Sequence, residues 1–134
     1  MSIPQTQLAH VRVSDAMHTG ILTTDPSTPL RVVARLMVDQ RVHAVAVSEP
    51  DHGRRPWGIV STLDIAAAAA AGVDDTAGDA AGTDIVTVSA SDSLDYAAQI
   101  MAENKVTHLI VVDPATGHPA GILSSLDVAA VYGS

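Results

Sequence analysis

Leu30, Val33, Ala34 and Met37 fall at i, i+3, i+4 and i+7, the spacing of one face of an α-helix. Thr28 stands where an N-cap is needed, and Pro29 suits the first helical position. Val42 to Val47 alternates toward a strand, Glu49 to Pro56 is a polar turn, and Trp57 to Val60 is a second strand. Thr62 to Ala71 then reads as a helix that stops at Gly72. With a short strand at Ile21-Leu22-Thr23, this stretch predicts strand, helix, strand, strand, helix.

The same pattern comes round again. Leu94, Ala97, Ala98 and Met101 repeat the helix face 64 positions on (Leu30 to Leu94), with Asp92 in the capping place of Thr28. Strands are expected at Ile85 to Val88, Thr107 to Val112 and Ala120 to Leu123, and a last helix at Ser125 to Tyr132. Gly58-Ile-Val-Ser61-Thr-Leu-Asp64 returns as Gly121-Ile-Leu-Ser124-Ser-Leu-Asp127. The expected organisation is a first repeat over 11–72, a linker without much structure over 73–83, and a second repeat over 84–132. Both are β-α-β-β-α units of an α/β (α+β) fold, and duplicated halves of this kind pack about a pseudo-twofold axis.

Both first helices carry a second apolar stripe, Val32 and Leu36 in one and Tyr96 and Ile100 in the other. A surface helix needs only one apolar face. These stripes are either covered within one chain or form a homodimer interface.

Composition narrows the function. A chain of 134 residues, 47% hydrophobic and 16% charged, is globular, and with no Phe and one Trp its core is aliphatic. A net charge of −8 with seven Lys and Arg gives no basic face for nucleic acid or anionic membrane. The absence of Cys removes disulfides and thiolate metal sites. Met1 to Val13 lacks the apolar core of a signal peptide, and no run is long enough to span a bilayer, so a cytoplasmic protein is expected.

The repeated motif admits two readings. Ser-x-x-Asp is close to a capping box and needs no ligand. The same geometry also suits one: a helix N-terminus with unpaired N–H groups attracts phosphate, and a carboxylate one turn in accepts from ribose hydroxyls.

On Val13-Ser14-Asp15-Ala16-Met17, Arg41-Val42-His43-Ala44-Val45-Ala46-Val47 and the two Gly-h-h-Ser-x-x-Asp strings, the chain resembles a tandem cystathionine beta-synthase (CBS) domain pair, or Bateman module, over about residues 11 to 132. The resemblance implies repeats packed through their sheets, two clefts for AMP, ADP, ATP or S-adenosylmethionine, and a homodimer. It implies that Asp64 and Asp127 hold ribose hydroxyls, with Ser61 and Ser124 near ribose or phosphate. One ligand set would join Ser124 and Asp127 to Gly20, Leu22, Val42 and His43. The other would join Ser61 and Asp64 to Asp84, Val86, Val106 and Thr107. The second repeat departs from the pattern: it lacks the Asp-x-Met lead-in, and Asp84 stands where the first has Gly20. A second carboxylate works against phosphate, so the Asp127 set is expected to bind first.

Six scattered His residues without Cys make no metal site. No nucleophile elbow, catalytic triad or Walker-type loop is present, so no catalytic residue is assigned. The expected function is a stand-alone, non-enzymatic regulatory module that binds an adenosyl ligand and passes its signal to a separate protein partner. The alternative is a structural or partner-binding dimeric module with degenerate clefts.

Overall fold

The computed structural model describes residues 6–49, 56–83 and 85–134. Its elements are α1 (Thr6–His10), α2 (Val13–Ala16), β1 (His18–Thr19), β2 (Thr23–Thr24), α3 (Leu30–Gln40), β3 (Ala44–Ser48), β4 (Pro56–Ser61) and α4 (Thr62–Ala71). These are followed by α5 (Ala77–Ala80), β5 (Thr87–Ser89), α6 (Leu94–Asn104), β6 (His108–Val112), β7 (Pro119–Ser124) and α7 (Ser125–Tyr132). The repeat is therefore mixed α/β, β2-α3-β3-β4-α4 answered by β5-α6-β6-β7-α7.

The chain groups into two compact units: Leu22–Ile85, and the residues up to Ile21 together with Val86–Ser134. In the first, β3 lies between parallel β2 and antiparallel β4. In the second, β6 lies between parallel β5 and antiparallel β7, and β1 adds antiparallel to β7. The alternating and continuous apolar runs become buried strands: Val45, Val47 and Val60 are closed against Leu30, Val33 and Met37. Leu109, Val111 and Leu123 are closed in the same way against Leu94, Ala97 and Met101.

Each repeat's lead-in packs in the unit of the other repeat. Val13 N–H donates to the Asp92 carbonyl at 2.9 Å and Ser14 N–H to Ala90 at 3.0 Å. Ala77 N–H donates to Thr28 at 2.8 Å and Gly78 N–H to Pro26 at 2.8 Å, the same bonds shifted by 64 residues (13 to 77, 28 to 92). Val13 and Ala77 are each fully buried.

This changes the reading of 73–83 as an unstructured linker. Thr76 caps α5, its Oγ1 accepting from Asp79 N–H at 3.3 Å while Asp79 accepts from Thr76 N–H at 3.2 Å. Arg12 N–H donates to Asp15 in the same way at 3.4 Å. The second lead-in is thus present, with Asp79 in the place of Asp15 and Ala81 in the place of Met17. The segment is ordered because its small side chains let the backbone lie close: a Cβ on Gly78 would meet Pro26 Cβ at 2.9 Å.

Smaller differences have local causes. The parallel edge strands start later than expected, at Thr23 and Thr87, because Leu22 and Val86 each contribute one carbonyl, to Ala46 and Ile110, before the ladder begins. Pro29, not Thr28, is the N-cap of α3, and Leu30 N–H finds the Asp75 carbonyl at 2.9 Å. Ser93, not Asp92, caps α6; Asp92 instead accepts from Ser89 N–H at 2.9 Å. At Asp25, hydrogen bonds from the Ser27 backbone and hydroxyl hold the carboxyl below its usual range.

Of the second stripes, Leu36 and Ile100 are partly buried against their own units' cores. Val32 and Tyr96 are 49% and 48% exposed.

Candidate functional site

The first turns of α4 and α7 are built alike. Ser61 Oγ accepts from Asp64 N–H at 3.3 Å, and Ser61 N–H donates to Asp64 Oδ2 at 2.8 Å. Ser124 and Asp127 repeat both bonds, at 3.2 and 2.8 Å. These are reciprocal capping boxes, formed because a helix start leaves its first amides without partners. Thr62 N–H donates to the His43 carbonyl at 3.1 Å and Ser125 N–H to the Thr107 carbonyl at 2.9 Å. Two of the first three amides of each helix are therefore used within the fold. Ser61 Oγ also donates to Asp64 Oδ2 at 3.0 Å. In this geometry the serines cap the helix, and of each carboxylate the capping box leaves the second oxygen, Oδ1, untouched.

The two Oδ1 atoms differ. Asp64 Oδ1 has no hydrogen-bond partner among the described residues, and its side chain is half-buried. Asp127 Oδ1 lies 3.2 Å from His18 Nε2, with the Asp127 side chain 12% exposed and that of His18 65% exposed. His18 reaches it because β1 pairs with β7 in the register His18 to Ile122. The matching bridge in the other unit is Gly82 to Ile59, where no side chain is available.

The glycine that leads each motif makes room for these crossings. A Cβ on Gly121 would overlap the His18 carbonyl, and one on Gly58 would meet Ala81 Cβ at 2.9 Å.

The expected site residues divide between the units. Leu22, Val42, His43, Ser61 and Asp64 belong to one; Gly20, Val86, Thr107, Ser124 and Asp127 belong to the other. His43 and Thr107 meet the motif helices through their carbonyls. The His43 side chain is exposed, and Thr107 Oγ1 pairs with His108 Nδ1 at 2.9 Å. Val42 N–H donates to the Met37 carbonyl at 3.0 Å and Val106 N–H to Met101 at 3.1 Å, closing the ends of α3 and α6. Gly20 has φ +83 and donates to the Ala120 carbonyl at 2.8 Å. The carbonyls of Leu22 and Val86 are engaged by β3 and β6. Asp84 lies outside the described residues.

His18 is the site neighbour that pattern reading missed. No periodicity marks a two-residue strand. The available signal was the 64-residue offset, which sets His18 against Gly82. Among the described residues, no group of three or more His, Cys, Asp or Glu could hold a metal ion, and no helix is long and apolar enough to cross a membrane.

The CBS domain family matches the chain twice, over residues 13–71 and 77–134. Among solved structures, the CBS domain pair of protein MJ0100, in complex with 5′-methylthioadenosine and S-adenosyl-L-methionine, is similar with a TM-score of 0.80 at 21% identity. That match covers 92% of this chain and 96% of that one. A CBS domain protein from Pyrobaculum aerophilum complexed with AMP is similar with a TM-score of 0.76 at 25% identity, covering 92% of this chain and all (100%) of that one. A homoserine O-acetyltransferase from Methanosphaerula palustris is 30% identical over 118 residues, 88% of this chain. The chain spans 23% of the length of that relative.

Proposed function

The chain belongs to the CBS domain family, and on that premise we propose that it is a non-enzymatic regulatory module for an adenosyl ligand: AMP, ADP, ATP or S-adenosylmethionine. Asp64 and Asp127 are the groups that would receive the ribose. The observation that carries this reading is the Asp64 carboxylate. One oxygen is fixed by its own helix, while the other has no donor among the described residues. A ribose diol brings two O–H donors to that oxygen. The likeness to a CBS domain protein complexed with AMP at 25% identity supports the adenosyl class.

Binding would act by favouring one arrangement of the protein over another, by no more than the ligand's difference in affinity for the two. The same reading includes a homodimer through Val32 and Tyr96, exposed apolar residues at equivalent positions of α3 and α6. A separate protein would receive the signal.

A second reading is a structural or partner-binding module without a nucleotide. It is favoured by the Ser61 and Ser124 oxygens and the Leu22 and Val86 carbonyls, all engaged within the fold. A thermal-shift series separates the two. A ligand present at 100 times its Kd stabilises by about 2.7 kcal/mol. For a chain of this size that is a rise on the order of 10 °C. The adenosyl reading expects this from at least one of the four compounds and not from GMP. No rise from any of them favours the partner-binding module.

A further inference from the structure

We propose, resting on the adenosyl reading above, that His18 makes the two carboxylates unequal: it holds the Asp127 oxygen that a ribose diol would take, so Asp64 fills first. Both aspartates spend Oδ2 on the same capping box, at 2.8 Å in each case. Oδ1 is the oxygen that the capping box leaves untouched in both. At Asp127 the imidazole stands 3.2 Å from it and the side chain is only 12% exposed. A ribose hydroxyl that takes Oδ1 must move the imidazole aside or share the oxygen with it. At Asp64 no described side chain competes.

The difference is one of side chain, not of backbone. His18 and Gly82 bridge equivalent residues of β7 and β4. The glycine is not imposed by crowding, since a Cβ on Gly82 would meet nothing nearer than the Ile59 carbonyl at 3.9 Å. It has no positive φ either. The two positions can therefore exchange side chains. At 65% exposed, the imidazole is not locked by packing. It weakens the second site rather than deleting it. The expectation from sequence puts the Asp127 set first on account of Asp84; the His18 contact at Asp127 reverses that order.

Calorimetric titration of the intact chain with AMP tests this. The expected wild-type result is one tight AMP per chain. Asp64→Asn should cost at least tenfold more in that affinity than Asp127→Asn. His18→Gly should raise the number of tight sites to two, and Gly82→His should weaken the first site at least tenfold. Melting curves check that each variant is folded, and His18→Ala stands in if glycine frays the short strand. The proposal is overturned if Asp127→Asn causes the larger loss, or if wild type fills two equal sites. It is equally overturned if both His18 variants still take up one AMP. Tight single-site binding lost with Asp127→Asn would leave the adenosyl reading intact, whereas no AMP binding by any variant overturns that reading together with this one.

Discussion

The carbonyl of His18 lies directly against Gly121, so close that no Cβ fits on that residue. Gly58 meets the chain at Ala81 and Gly82 in the same way. The glycine that opens each Gly-h-h-Ser-x-x-Asp string makes room for the crossing of a lead-in backbone and has no unusual φ.

Gly121→Ala is therefore expected to lower stability by about 1–3 kcal/mol, the usual cost of overpacking. Gly82→Ala, whose Cβ would make only an ordinary van der Waals contact, should change it by less than about 0.5 kcal/mol. Urea unfolding of both variants checks the pair; equal midpoints would contradict the crowding argument.

Arg41 and Lys105 end α3 and α6 in the left-handed conformation, each at φ 56. An L side chain there costs roughly 1–2 kcal/mol, partly offset by the extra chain entropy that glycine loses on folding. Arg41→Gly should raise stability by about 0.5–1 kcal/mol. A fall, measured by the same unfolding experiment, would mean that the cation contributes more at the helix C-terminus than the strain removes.

The amides of Ala77 and Gly78 are bonded to Thr28 and Pro26 and sit over a buried side chain. Hydrogen exchange should find them protected to a degree comparable with Val13 and Ser14, their equivalents. Exchange at the rate of an open loop would restore the linker expected from composition.

Val32→Glu with Tyr96→Glu should convert the proposed homodimer into a folded monomer. Burying unpaired carboxylates in an apolar interface costs several kcal/mol. Light scattering reads the mass, and an unchanged dimer or a monomeric wild type would refute the interface. Leu36 and Ile100 are poorer probes, because both also pack against the core of their own unit.

Much of the fold was legible in the sequence. The i, i+3, i+4, i+7 faces are the buried faces of α3 and α6, since a long amphipathic period is the strongest local signal. The short pieces were not. Helices of four residues such as α2 and α5 have no period to detect, and their order comes from bonds to residues far along the chain, Val13 to Asp92 and Ala77 to Thr28. The second lead-in was visible only as Asp79 standing 64 residues after Asp15, and it was hidden by Ala81 where Met17 stands. At the site, the capping box was legible from Ser61 and Asp64 alone. Which oxygen it would consume, and that His18 would cover the other in one half, depends on strand register, which the sequence pattern does not encode.

The most direct test of the central claim compares AMP with 2′-deoxy-AMP in equilibrium binding to the wild-type chain. A hydrogen bond to a carboxylate contributes roughly 1.5–3 kcal/mol, so AMP should bind at least tenfold more tightly. Equal affinities for the two, or no binding of either, would contradict a ribose held at Asp64.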